Sequence, residues 1–143
     1  MTGLVTFRLG EREYATPLGD VREVVRLQGL ADMPGMAPPL AGVVDLRGSA
    51  LPVLDLRPGA AYEGRRGDVL VLEAVQAEGG TVGVAVDQVR AVVADGELSP
   101  AGTSTGDVLP SYVVDVLRGP DGVVFLVDLA AMVDSARGVL AQT

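Results

Sequence analysis

Three segments of this chain recur in the same order, and no other feature narrows its fold as much. Asp20-Val21-Arg22-Glu23-Val24-Val25 is echoed by Gln88-Val89-Arg90-Ala91-Val92-Val93. Val43-Val44-Asp45-Leu46-Arg47-Gly48 is echoed by Val113-Val114-Asp115-Val116-Leu117-Arg118-Gly119, and Leu54-Asp55-Leu56 by Val127-Asp128-Leu129. The offsets are 68, about 70 and 73, so the chain reads as one small unit duplicated in tandem. A valine-rich chain supplies single matches by chance, but three in sequence order point to a shared origin of the halves.

Each copy reads as β structure. The apolar 48% is mainly valine, leucine and alanine, and the 19 glycines and 9 prolines are spread along the chain as turns require. Residues 4–9 alternate Val5, Phe7 and Leu9 against Thr6 and Arg8, and Gly10-Glu11 turns the chain into residues 13–18 as a hairpin. Residues 21–27 read as a third strand. Residues 33–39 carry three prolines, which remove ladder donors, and make a connector into residues 42–46; residues 49–56 close the first unit. The charged, glycine-containing stretch 57–67 is the boundary between units.

In the second unit residues 69–75 are apolar on both faces apart from Glu73, Glu78-Gly79-Gly80 turns the chain, and residues 81–87 alternate Val82, Val84 and Val86. These two strands are expected to be the most buried. Residues 99–107 read as a mobile loop, Asp121-Gly122 turns a last hairpin into residues 123–127, and a short helix is expected from Asp128.

Composition excludes much chemistry. There is no histidine, cysteine or lysine, so the common general base, the thiolate nucleophile, the Schiff-base amine and the soft metal ligands are missing. No cofactor and no metal are expected. Gly79-Gly80-Thr81-Val82-Gly83 is a turn and not a phosphate loop, because no lysine and no helix pattern follow it. What remains is a carboxylate pair, Asp55 and Asp128, each closing an apolar strand. Catalysis of the glycosidase type by these two is weighed against simple capping of the turn or helix that follows each, and the capping reading is preferred because two Phe and three Tyr give little for a sugar to stack on.

The net charge of -8 argues against nucleic acid. Its distribution is uneven: eight arginines and eight acids lie through Arg66, three arginines and eleven acids from Gly67 onward. Such halves offer partners different electrostatic surfaces. No run of 18 uninterrupted apolar residues and no signal-peptide pattern is present, and the lack of cysteine is compatible with a reducing compartment, so the cytoplasm is the expected location and no membrane insertion is expected.

Arginine is the remaining chemically active residue type, and its fork suits a carboxylate or a partner's carbonyls. Arg47 stands between Val43-Val44-Asp45-Leu46 and Gly48, where a strand is expected to turn sharply. Along a strand Val21, Glu23 and Val25 share one face, opposite Arg22 and Val24, so an apolar strip can remain outside a small barrel for a partner helix.

Taken together, the chain resembles the chemotaxis coupling proteins of the CheW family. The matching residues are 4–15, Val21-Arg22-Glu23-Val24, Pro38 with Gly42-Val43-Val44-Asp45-Leu46-Arg47-Gly48, Leu51-Pro52-Val53-Leu54-Asp55-Leu56-Arg57 and Val82-Gly83-Val84-Ala85-Val86-Asp87-Gln88-Val89. The resemblance implies a mainly β fold of two SH3-like five-stranded β-barrels packed side by side, with a short C-terminal helix. Barrel 1 is expected at about 3–66 and barrel 2 at about 67–134, with terminal segments open to exchange between them.

The resemblance also implies a non-catalytic adaptor. Its partners would be the cytoplasmic tip of a chemoreceptor (a methyl-accepting chemotaxis protein) and the regulatory domain of a chemotaxis histidine kinase, within membrane-associated or cytoplasmic receptor arrays. By position, Val21, Glu23, Val24, Gly42, Val44, Leu46 and Arg47 fall in the family's receptor-binding groove, and Arg47 is expected to pair with Glu23. No motif places the kinase interface. The chain departs from the family pattern at Asp45, where asparagine is usual, and at Pro58-Gly59-Ala60-Ala61, where a helix-like run is usual. Within the same fold, a detached regulatory domain of the kinase or of a receiver-linked coupling protein is the alternative, against which the start at Met1 and the short tail to Thr143 suggest a stand-alone coupler. A small β-barrel hydrolase or ligand-binding protein using Asp55 and Asp128 is the alternative of another class.

Overall fold

The computed structural model describes residues 3–31, 40–55, 57, 66–73, 80–94, 96–101 and 109–141, with side chains described as far as Ser135. The connector expected at 33–39, the turn at Glu78-Gly79 and residues 102–107 of the loop expected over 99–107 lie outside the described residues, while Ser99–Pro100, expected in that loop, pairs instead as a short strand.

Alternation and short turns produce eleven strands and one helix among the described residues: β1 Gly3–Leu9, β2 Arg12–Pro17, β3 Glu23–Arg26, β4 Leu40–Leu46, β5 Ser49–Asp55, β6 Asp68–Glu73, β7 Thr81–Val86, β8 Gln88–Ala94, β9 Ser99–Pro100, β10 Val113–Gly119, β11 Gly122–Val127 and α1 Leu129–Ala141. The third strand is shorter than its sequence pattern, because Leu18–Asp20 forms a 3-10 turn and Val21 precedes the ladder.

The strands form two sheets. One is five-stranded, in the order β3-β6-β7-β5-β4; the other is six-stranded, in the order β8-β1-β2-β11-β10-β9, its sixth member being the two-residue β9. The orders are equivalent strand for strand, and each centres on one parallel contact, β5 with β7 (Val53 opposite Gly83) and β2 with β11 (Glu13 opposite Val124). The barrel boundary expected at 66/67 falls between β5 and β6, two strands of one sheet, and the sheets divide between β2 and β3 and again between β7 and β8. The leading hairpin of each copy, β1–β2 or β6–β7, shares a sheet with all the remaining strands of the other copy.

Register corrects the repeat alignment at one point. Leu40 pairs with Leu54 and Leu46 with Ser49; Val113 pairs with Val127 and Gly119 with Gly122. The two hairpins thus superpose at a shift of 73 throughout, which sets Arg118 against Asp45 and Pro120 against Arg47. The apparent match of Arg47 with Arg118 comes from sliding one valine-rich strand past another; the two-residue turns fix the true register.

Three apolar clusters result. Val5, Phe7, Leu9, Leu54, Leu70, Leu72, Val84, Val86 and Val127 meet between the sheets, where Leu129, Met132 and Val133 of α1 join them. Leu27, Val44, Leu51, Val53, Val69, Val71 and Ala85 fill the five-stranded sheet, and Ala15, Leu117 and Val124 the six-stranded one. Strand β6 explains its own continuous apolar run: Leu70 and Leu72 serve the cluster between the sheets while Val69 and Val71 serve the internal one. Each such side chain contributes about 1.5–3 kcal/mol when fully buried.

Candidate protein-binding site

The hairpin β4–β5 closes through a two-residue turn, Arg47-Gly48, with φ of 50° and 88°. Positive φ at both positions is the turn geometry whose twist suits paired strands, and it ordinarily selects Asn or Gly. Arg47 is the sole non-glycine residue with positive φ among the described residues. Two contacts hold it there. The Gly48 N–H donates to Asp45 Oδ1 at 2.8 Å, and the Arg47 guanidinium donates through both terminal nitrogens to the two oxygens of Glu23, one contact at 3.0 Å. Asp45 thus supplies the acceptor oxygen that closes the turn.

Glu23 lies on β3 and Arg47 follows β4, the two edges of the five-stranded sheet, so the fork joins one edge to the other. The hydrogen bond from Arg47 holds the Glu23 carboxyl below its ordinary 4.5, and the same bond raises the guanidinium pKa. Both groups stay charged at neutral pH.

The seven expected groove residues divide by depth. Glu23 and Arg47 form the ion pair, and Val24 beside them is 43% exposed. Leu46 is half-buried against the core of the five-stranded sheet, and Val21 against the cluster between the sheets. Val44 is buried at 5%, inside the five-stranded sheet, and Gly42 is buried as well. A Cβ at Gly42 would stand 2.4 Å from the Ala31 carbonyl oxygen, whose residue exchanges both backbone hydrogen bonds with Val43. Val21 and Val25 face different clusters, because the chain turns at Leu18–Asp20 before the strand begins.

The two strand-end aspartates are engaged structurally. Asp128 Oδ1 accepts the Ala131 N–H at 3.1 Å and caps α1, while Asp55 Oδ1 accepts the Arg57 N–H at 3.0 Å and its carboxylate pairs with the Arg57 guanidinium. Among the described residues no group of three or more acidic side chains is gathered as a metal site, and no helix is long and apolar enough to cross a membrane.

One feature of the six-stranded sheet escaped the sequence reading. A cleft of about 430 Å³ is lined by Arg8, Arg12, Arg90, Glu13, Asp121 and Val123 among others. Arg90 is held across it by Glu13 at 3.2 Å and Asp121 at 3.8 Å. These residues converge from β1, β2, β8 and the β10–β11 turn, and no local pattern announces their meeting. At the position equivalent to Val24, Val92 is 62% exposed, but Ala91 and Pro120 replace Glu23 and Arg47, so the edge-to-edge ion pair occurs in one copy alone.

Fold and site together define a duplicated two-sheet β module whose distinctive polar group is a surface ion pair set on a strained turn. The chain belongs to the CheW-like domain family, whose profile matches residues 3–137. It is 27% identical over 135 residues to the chemotaxis protein CheW of Rhizobium meliloti (strain 1021), covering 92% of this chain and 87% of that one. It is 25% identical over 143 residues to the chemotaxis protein CheW of Treponema pallidum (strain Nichols), covering 92% and 82%. Among solved structures, the scaffolding protein TtCheW from Thermoanaerobacter tengcongensis shares the fold with a TM-score of 0.67 at 24% identity, over 90% of this chain and 84% of the other.

Proposed function

We propose that this protein is a non-catalytic chemotaxis scaffold that couples the cytoplasmic tip of a chemoreceptor to the regulatory domain of a chemotaxis histidine kinase. It works in the cytoplasm, recruited to receptor arrays. Membership of the CheW-like family and near-full-length similarity to proteins named CheW support the reading. The observation that carries it is Arg47: a non-glycine residue held in a left-handed conformation costs stability, and such strain gathers at binding sites. The receptor-binding surface in this reading is Val24 with the Glu23–Arg47 pair, flanked by Leu46 and Val21. Gly42 and Val44 serve it from inside, by letting Ala31 approach β4 and by anchoring that strand.

Titration of a receptor-tip fragment tests the assignment. Arg47→Glu and Glu23→Arg should each weaken binding by roughly tenfold or more. The double variant Glu23→Arg/Arg47→Glu should regain part of the loss if the pair shapes the edge, and none if Arg47 itself touches the receptor. Full affinity in a folded Arg47→Glu variant would overturn the surface.

A further inference from the structure

Arg57 and Asp55 are the buried charged residues of the described chain, with side chains 6% and 1% exposed. All three nitrogens of the Arg57 guanidinium donate. Its Nε and one terminal nitrogen donate to the two Asp55 oxygens at 2.9 Å each, and the other terminal nitrogen donates to the Arg66 carbonyl at 2.6 Å and to Asp87 Oδ1 at 3.2 Å. Burial opposes its charge, but the hydrogen bonds to Asp55 and Asp87 outweigh burial and raise its pKa.

Location gives these contacts their meaning. Asp55 ends β5 in the five-stranded sheet, and Asp87 is the single residue between β7 and β8, where the chain passes from one sheet to the other. Asp87 Oδ2 accepts the Gly10 N–H at 2.6 Å, and the Asp87 N–H donates to the Arg8 carbonyl at 3.0 Å. One guanidinium therefore links the strand that follows the Arg47 turn to the crossover and, through it, to the β1–β2 hairpin that lines the charged cleft.

The duplication supplies an internal comparison. At the equivalent strand end Asp128 is satisfied by capping α1, and Ala130 stands where Arg57 would be. A strand-end aspartate in this fold thus has no general need of an arginine. The apolar cluster between the sheets is non-directional, whereas a forked ion pair imposes an angle.

We infer that Arg57 is a positioning residue: it locks the crossover and the β1–β2 hairpin of the six-stranded sheet to the end of the five-stranded sheet. Partners gripped on the two sheets are then held in one relative geometry. The second half of this statement rests on the coupling function proposed above; the first does not.

The full chain contains no cysteine, so nitroxides can be placed cleanly through Ala50→Cys on β5 of the five-stranded sheet and Glu11→Cys in the β1–β2 turn of the six-stranded one. Asp87→Ala removes a 42% exposed acceptor, and Arg57→Lys keeps the charge while losing the fork. Both variants should keep the wild-type circular dichroism spectrum and broaden the inter-label distance distribution. Both should bind the receptor-tip fragment as wild type does, yet recruit the kinase domain to the receptor-bound form roughly fivefold less well. An unchanged distance distribution in folded Asp87→Ala overturns the positioning role, and that variant decides alone should Arg57→Lys fail to fold. Broadened distances with undiminished kinase recruitment overturn its part in coupling. Failure of the wild type to bind the receptor tip sinks the proposed function, while the distances still decide the geometric claim.

Discussion

Arg47 occupies a backbone conformation that a Cβ atom disfavours, and the side chain justifies the position only through what it touches. Glycine at residue 47 would relieve the backbone and forfeit the fork to Glu23. Arg47→Gly is therefore expected to melt at or slightly above the wild-type temperature while losing affinity for the receptor tip; wild-type affinity in that variant would show that the turn shape alone suffices. Arg47 was legible in the sequence because Gly48 marks a sharp turn after an apolar strand, whereas Glu23 was reached through the family resemblance, since a guanidinium alone does not choose among 19 acidic residues. The depth of Val44 was not legible. On a strand flanked by Val43 and Leu46, apolar residues stand on both faces, and only the observed register tells which of them faces the core of the five-stranded sheet.

At the scale of elements, the close packing of β6 and β7 depends on Gly83. A Cβ there would lie 2.6 Å from Val69 Cγ1 and 3.1 Å from Leu51 Cδ2, in a buried place with no room to yield. Gly83→Ala should destabilise the protein by about 1–3 kcal/mol, measured as a lowered midpoint in urea with an unchanged slope. The strands themselves were readable from alternation and turns, and residues 69–72 and 84–86 are as deeply buried as their patterns required. Pairing partners were not readable. Nothing local in β2 says that it will lie parallel to β11, since that contact is chosen by the whole set of apolar faces seeking cover. The same blindness let Arg118 pass as the counterpart of Arg47: valine runs align equally well at several shifts, and register is settled by turn length.

For the whole molecule, neither copy of the repeat can complete a sheet by itself, because each supplies the leading hairpin of the other's sheet. Fragments 1–60 and 61–143 should each lack β-sheet circular dichroism and sharp amide resonances alone, and regain both on mixing. A fragment that folds independently would contradict the exchange. The chain passes between the sheets twice, at 18–22 and at Asp87, and this has a mechanical result. Two bodies on a single tether swivel freely about it; on two tethers, at different places along their seam, they keep at most one axis of rotation. Torque applied to one face of this protein is thus handed to the other face, with little slack for it to be lost in.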